Sequence, residues 1–275
     1  MSEIRLIKPD SSIIGFYKEI WEGNMLKSYS TRLLYYGEID SIITFITIDD
    51  VRPLVYKQHP DESGFFNTAF KDADDFINEA VKKAREDGDF SDVVTRINAK
   101  YHTHTPRSVV DTLNSNWNDI LFKITEVKSE KDNVKSRNKR NTIIDIIADG
   151  NGNPNRYSFA TKFCSFIEPD LFPIFDSFSS TMLYAYLKEA GYNIDKDNLG
   201  LYFYYLEAYD VFKEEFNLQE ETYKKIDEFL WLYGTAISRI AQKKCLYKPS
   251  SPKYISRVEA RNTVVEEIIK NTLED

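Results

Sequence analysis

Residues 151–187 constrain this chain more than any other stretch. They read NGNPNRYSFATKFCSFIEPDLFPIFDSFSSTMLYAYL. A polar turn comes first, then an apolar run, then a connector with two prolines, then a second apolar run. Asn151, Gly152, Asn153 and Pro154 all disfavour a helix interior. Residues 157–167 have the length and apolar content of a buried helix. Pro169 and Pro173 stop that helix and hold the connector extended, because the residue before a proline is driven out of the helical region. Asp176 sits at the mouth of the next helix. A carboxylate is favoured there by the unpaired N–H groups of the first turn, so a plain capping role is one reading of this residue.

The spacing supports a second reading. A turn, a helix, a proline-bearing connector and an Asp that opens the next helix resemble the core of the helix-hairpin-helix DNA glycosylases. In that family a hairpin grips the DNA backbone through main-chain N–H groups, and bifunctional members carry a lysine on the helix that follows. Here Ser158 stands in the lysine's place, 18 residues before Asp176. Ala160 falls where the family often has a small residue, and Pro173-Ile174-Phe175-Asp176 matches the run from proline to the catalytic Asp. The likeness covers residues 151–187 of the 275.

The chain departs from the family in two places. The usual Leu-Pro-Gly-Val-Gly hairpin is replaced by Gly150-Asn151-Gly152-Asn153-Pro154-Asn155-Arg156, and the lysine is missing. Without an amine at position 158 there is no Schiff-base nucleophile for strand cleavage. Lys162 lies one helical turn on, on the same side as Ser158; it could substitute as the amine, but the expectation is that it contacts phosphate or solvent. The resemblance therefore implies a monofunctional enzyme without a cofactor. Asp176 would stabilise the positive sugar as the N-glycosidic bond breaks, or orient a water, with Ser158 and Lys162 as further catalytic candidates. Asn151, Gly152, Asn153 and Arg156 would hold the backbone of double-stranded DNA. The target base, damaged or phage-modified, would be flipped into a cleft.

Charge and composition bound these readings. Hydrophobic residues make up 42% and charged residues 29%, which suits a globular chain. No apolar run approaches the roughly 18 residues a membrane span needs, so no membrane partner is expected. The first residues, MSEIRLIKPD, show no signal-peptide core, and the expected location is cytoplasmic. Cys164 and Cys245 suit a reducing compartment, with Cys164 in the core. His102 and His104 form a His-x-His pair without ligand-rich neighbours, so no metal site is assigned. The net charge of −8 disfavours a polyanion, but its distribution is uneven. Residues 123–140 hold seven basic and three acidic side chains, and residues 239–257 hold six basic and no acidic ones. Local potential decides docking, so both stretches are candidate DNA surfaces, with Lys243, Lys244 and Lys248 in the second.

Helical periodicity recurs elsewhere. Ile13, Ile14, Phe16, Tyr17, Ile20 and Trp21 share one spacing, and residues 41–48 read as a short strand or a buried helix. Phe76, Ile77, Ala80, Val81 and Ala84 form a stripe that ends at Gly88. Thr105 and Pro106 start a helix through Trp117 and Ile124. Residues 128–140 read as a polar loop or hinge that leads into a helix over 142–150. A tyrosine-rich helix follows over 199–216, its tyrosines packing with wet hydroxyls. A further helix ends at Gly234, and its Trp231 and Tyr233 are candidates to stack a flipped base or to fill the core. A last helix covers 256–273. The expected fold is mainly α, with two helical subdomains and a cleft between them. Residues 1–104 would pack with 236–275, and 105–235 would form the central part. The competing expectation is a non-catalytic helical module that binds protein or nucleic acid, in which Asp176 only caps a helix.

Overall fold

The computed structural model describes residues 9–11, 70–148, 154–243 and 254–273. The described residues form nine α-helices and one short 3-10 helix, with no strand among them, so the fold is mainly α. The helical pattern over 13–21 and the candidate strand over 41–48 lie outside the described residues, as do residues 149–153 and 244–253.

Helix α1 (Phe70–Asp87) buries Ile77, Ala80, Val81 and Ala84. It stops at Gly88, whose φ of 78° suits glycine and whose N–H reaches the Ala84 carbonyl at 2.9 Å. Phe76 points outward instead, beneath the Arg96 guanidinium. Helix α2 (Ser91–Tyr101) buries Val93, Val94 and Ile97 and ends at His102 in the left-handed region. His102 and His104 are exposed turn residues. The turn is wound around Asn98, whose Oδ1 accepts from Thr103 Oγ1 at 2.5 Å and from the Thr105 N–H at 3.0 Å.

Helix α3 (Arg107–Ser129) starts one residue later than the Thr-Pro signal suggests, with Pro106 at the cap. Its buried Val109, Leu113, Trp117, Ile120, Ile124 and Val127 form one stripe. Helix α4 (Asn133–Ile147) is capped by Asp132, which accepts from the Lys135 N–H at 2.9 Å. Residues 133–140 are thus helical, not a loop. They lack an apolar stripe because two arginines occupy the inward positions. Arg137 and Arg140 are buried and reach acidic partners on a later helix.

Helix α5 (Pro154–Ile167) is the centre of the fold. It packs on α1, α2 and α4, and Tyr157, Phe159, Ala160, Phe163, Cys164, Phe166 and Ile167 are all buried. Burial pushes the Cys164 thiol far above its ordinary range, as expected for an inert core cysteine. A connector leads to α6 (Ser177–Glu189), a 3-10 turn (Asn198–Gly200), α7 (Tyr202–Glu215), α8 (Tyr223–Lys243) and α9 (Tyr254–Leu273). Helices α6, α8 and α9 pack against one another, and α7 bridges α6 to α4. Helix α9 therefore lies on the 105–235 part of the chain, through Ala260, Val264, Val265 and Ile269. Gly234 does not end α8. The helix runs nine residues past it, and the glycine marks a close approach to α6.

Candidate functional site

The site is built on the connector 168–176, which has no helix of its own to satisfy its backbone. Side chains supply the bonds instead. Arg140 of α4 donates to the Leu171 carbonyl at 3.2 Å. Tyr202 and Tyr205 of α7 donate to the Pro173 and Ile174 carbonyls at 3.2 and 2.6 Å. The Phe175 N–H donates to Thr161 Oγ1 of α5 at 3.0 Å, and the Phe175 ring lies edge-on to Tyr205 at 5.0 Å. Tyr202, Tyr205 and Tyr209 are fully buried, so their hydroxyls are not wet; of the tyrosines in this run only Tyr204 is exposed. The tyrosine-rich helix is a clamp on the connector.

Held this way, Asp176 is extended at φ −147° and ψ 167°, half-buried, and caps α6. Its Oδ1 accepts the Phe178 and Ser179 N–H groups at 2.7 and 2.9 Å. Its Oδ2 has no hydrogen-bond or ion-pair partner among the described residues. The carboxylate faces the positive end of the α6 dipole, a favourable place for a negative charge.

Behind Asp176 lies a buried polar cluster from α5, α6 and α8. Lys162 of α5 is 6% exposed, and its Nζ donates to Ser158 Oγ at 2.8 Å and lies 5.2 Å from the centre of the Tyr101 ring. It reaches neither solvent nor a phosphate position, contrary to the sequence expectation. The turn of helix that puts it beside Ser158 also points it inward. Burial lowers its pKa, while Asp176 and Asp227 push it back up. Asp227 of α8 is 5% exposed and accepts from Ser179 Oγ at 2.8 Å. Burial and the charge of Asp176 raise its carboxyl well above the usual range, against the pull of Ser179 and Lys162. Further out, Asp74 of α1 pairs with the buried Lys100 of α2 and, at 3.1 Å, with Lys224 of α8. Arg261 of α9 donates to the Ser177 carbonyl at 2.8 Å and stacks on Phe178 at 4.5 Å.

The structure thus joins Ser158 to Lys162, and Asp176 acts on Lys162 through its charge. Of the candidate DNA contacts, Asn151, Gly152, Asn153, Lys244 and Lys248 lie outside the described residues. Arg156 lies in the first turn of α5 and Lys243 at the end of α8. Trp231 is half-buried, with its ring edge-on to Phe178 at 5.9 Å, beside the start of α6. Tyr233 is excluded as a base-stacking residue. It has no exposed surface and packs on Phe229 and Tyr186, because it falls on the inward face of α8. Asp227 and Ser179 escaped the sequence reading. The signal available was an Asp-Glu pair at 227–228, flanked by Ile226, Phe229 and Leu230, which places acidic side chains on a helix that has to be buried.

No protein-family model matches the chain. An uncharacterized protein of Haemophilus influenzae is 37% identical over 82 residues, which is 30% of this chain and 38% of that protein. The chain thus spans well under half the length of this relative. No solved structure matches. No described helix is long and apolar enough to cross a membrane.

Proposed function

We propose that the chain is a monofunctional DNA N-glycosylase that releases a damaged or modified base, with Asp176 as the acting carboxylate. The observation that carries this reading is the state of Asp176. One oxygen is anchored by two main-chain N–H groups, and the other has no partner among the described residues. Loss of a base leaves positive charge on the sugar. A fixed carboxylate stabilises that charge without having to reorganise. Lys162 is turned inward onto Ser158, which fits hydrolysis that leaves the abasic site intact. Trp231, beside the start of α6, is the remaining candidate to stack the flipped base, in a cleft between two subdomains. Residues 151–153 with Arg156, and Lys243, Lys244 and Lys248, would bind duplex phosphates. Repair of damaged DNA and defence against modified phage DNA both use this chemistry.

Asp176→Asn tests the reading, because Asn caps a helix about as well as Asp. Folding and duplex binding should persist, while base release from a panel of damaged and modified duplexes should vanish. Borohydride should trap no covalent adduct. A fully active Asp176→Asn protein refutes the assignment. The cap geometry also favours a second reading, a helical binding module in which Asp176 only ends the connector. Wild-type protein that binds DNA or protein but releases no base from any duplex would establish that one.

A further inference from the structure

Ser179 uses both of its donors on carboxyl groups. Its main-chain N–H holds Asp176 Oδ1 at 2.9 Å, and its hydroxyl holds Asp227 Oδ1 at 2.8 Å. Ser179 itself is fully buried. We propose that Asp227 is a positioning residue for Asp176: it fixes Ser179, whose main-chain N–H holds Asp176, and with Lys162 it keeps one shared proton inside the fold.

The argument rests on how the buried groups are partnered. Asp227 has Ser179 as its hydrogen-bond partner and Lys162 has Ser158. No ion pair joins Asp227 to Lys162 or to any other described residue. A carboxylate and an ammonium, each buried on a single neutral hydroxyl, are both poorly compensated for lost water. Moving one proton from Lys162 Nζ to Asp227 Oδ2 removes both charges and leaves the net charge of the site unchanged. The carboxyl Oδ1 still accepts from Ser179. Asp176 is the more exposed of the two carboxyl groups and has two main-chain donors at a helix N-terminus. Two neighbouring carboxylates do not readily ionise together, which sends the proton to the more buried one. Burial of Asp227 and Lys162 acts in the same direction on both groups, towards the uncharged form.

The other groups around Asp227 do not replace Lys162. Glu228 of α8 and the hydroxyls of Tyr101, Tyr205 and Tyr209 bring no positive charge. Lys100 and Lys224 are engaged with Asp74. Arg261 is bonded to the Ser177 carbonyl and to Thr181 on α6.

The role given to Asp176 rests on the glycosylase reading, whereas the proton sharing does not, so the test begins without a substrate. The full chain is labelled with 13C at the Asp carboxyl and Lys ε positions and titrated by NMR. Signals are assigned by their loss in Asp227→Asn, Asp176→Asn and Lys162→Met. Asp227 should titrate above the ordinary carboxylate range. Because each group titrates while the other is uncharged, Asp227→Asn should leave the Lys162 midpoint unchanged, and Lys162→Met that of Asp227, whereas an ion pair would lower the first and raise the second by equal amounts. If a variant fails to fold, the wild-type curves decide, with Asp227 protonated and Lys162 uncharged at neutral pH. An Asp227 signal in the ordinary range, a charged Lys162 at neutral pH, or the equal and opposite shifts of an ion pair overturns the proposal. In base release, Asp227→Asn should remove the alkaline inflection of the pH profile, and an unchanged profile overturns the positioning role. Asp227 and Lys162 both uncharged at neutral pH in a protein that releases no base would refute the glycosylase reading and leave the shared proton standing.

Discussion

Gly234→Ala is the sharpest test of how α6 and α8 meet. In the interior of an exposed helix, alanine is more favourable than glycine by about 1 kcal/mol. At position 234 the added Cβ would lie 3.1 Å from Phe178 Cβ, 3.2 Å from Met182 Cγ and 3.2 Å from the Phe178 carbonyl oxygen. All three contacts are tighter than ordinary packing. Met182 can swing its side chain away. The Phe178 atoms are fixed to the first turn of α6, so the helix itself has to move by a few tenths of an ångström. Overpacking of this kind costs about 1–3 kcal/mol, and two unyielding contacts of three place it in the upper half of that range. After the propensity gain, the expected net loss is about 1–2 kcal/mol, or a Tm lower by about 2–8 °C. Urea unfolding followed by circular dichroism measures it, with an unchanged m value showing that the denatured state is not the cause. The displacement reaches the site, because the same first turn supplies the Phe178 and Ser179 N–H groups that hold Asp176. A Gly234→Ala protein as stable as wild type would refute the close approach and the account of why glycine stands in the middle of α8.

Tyr205→Phe removes the donor from the buried Ile174 carbonyl and should cost about 1–3 kcal/mol in the same assay, whereas Tyr204→Phe on the surface should stay within about 0.5 kcal/mol. Asp227→Asn should change how stability depends on pH. A raised native pKa means that the folded protein holds a proton the unfolded chain has released, so the Asp227 contribution is present below the ordinary Asp value and lost as pH rises through the raised one. Wild type should therefore lose stability relative to Asp227→Asn between about pH 5 and the raised value, by roughly 1.4 kcal/mol for every pH unit in that interval, and parallel Tm curves would contradict this. Neutralising Lys243, Lys244 and Lys248 together should weaken duplex binding to all sequences alike and flatten the salt dependence by up to about three units of slope, while an unchanged slope would place the DNA elsewhere.

The helices were legible in the sequence wherever one face is apolar and the opposite face polar. The stripe of α3 from Val109 to Val127 and the buried run of α5 are such cases. The pattern failed where long-range partners decide. Arg137 and Arg140 made residues 133–140 look like a loop, because the groups that accept them, Glu207 and Asp210, are about seventy residues away on α7. Gly234 looked like a helix end because local propensity cannot register a neighbouring helix. The spacing of positions 158 and 162 put Lys162 on Ser158, since the two share a helix face. Asp227 carries no local mark of its role. It becomes visible only when α8 is laid against α6 and its partner Ser179 is seen to hold Asp176 as well.

Charge shows the same gap between composition and surface. Residues 123–140 are rich in basic side chains, yet five of the seven are already neutralised. Lys123 pairs with Asp119, Lys128 with Glu168 and Lys139 with Glu130, while Arg137 and Arg140 turn inward to Glu207 and Asp210. Lys131 and Lys135 are left to face solvent without an acidic partner among the described residues. A polyanion approaching there would meet little net potential, because each of the other cations has a carboxylate within 4 Å. Residues 239–257 contain no acidic side chain that could neutralise them locally. Under the glycosylase reading, this segment is the better candidate for phosphate binding of the two basic stretches.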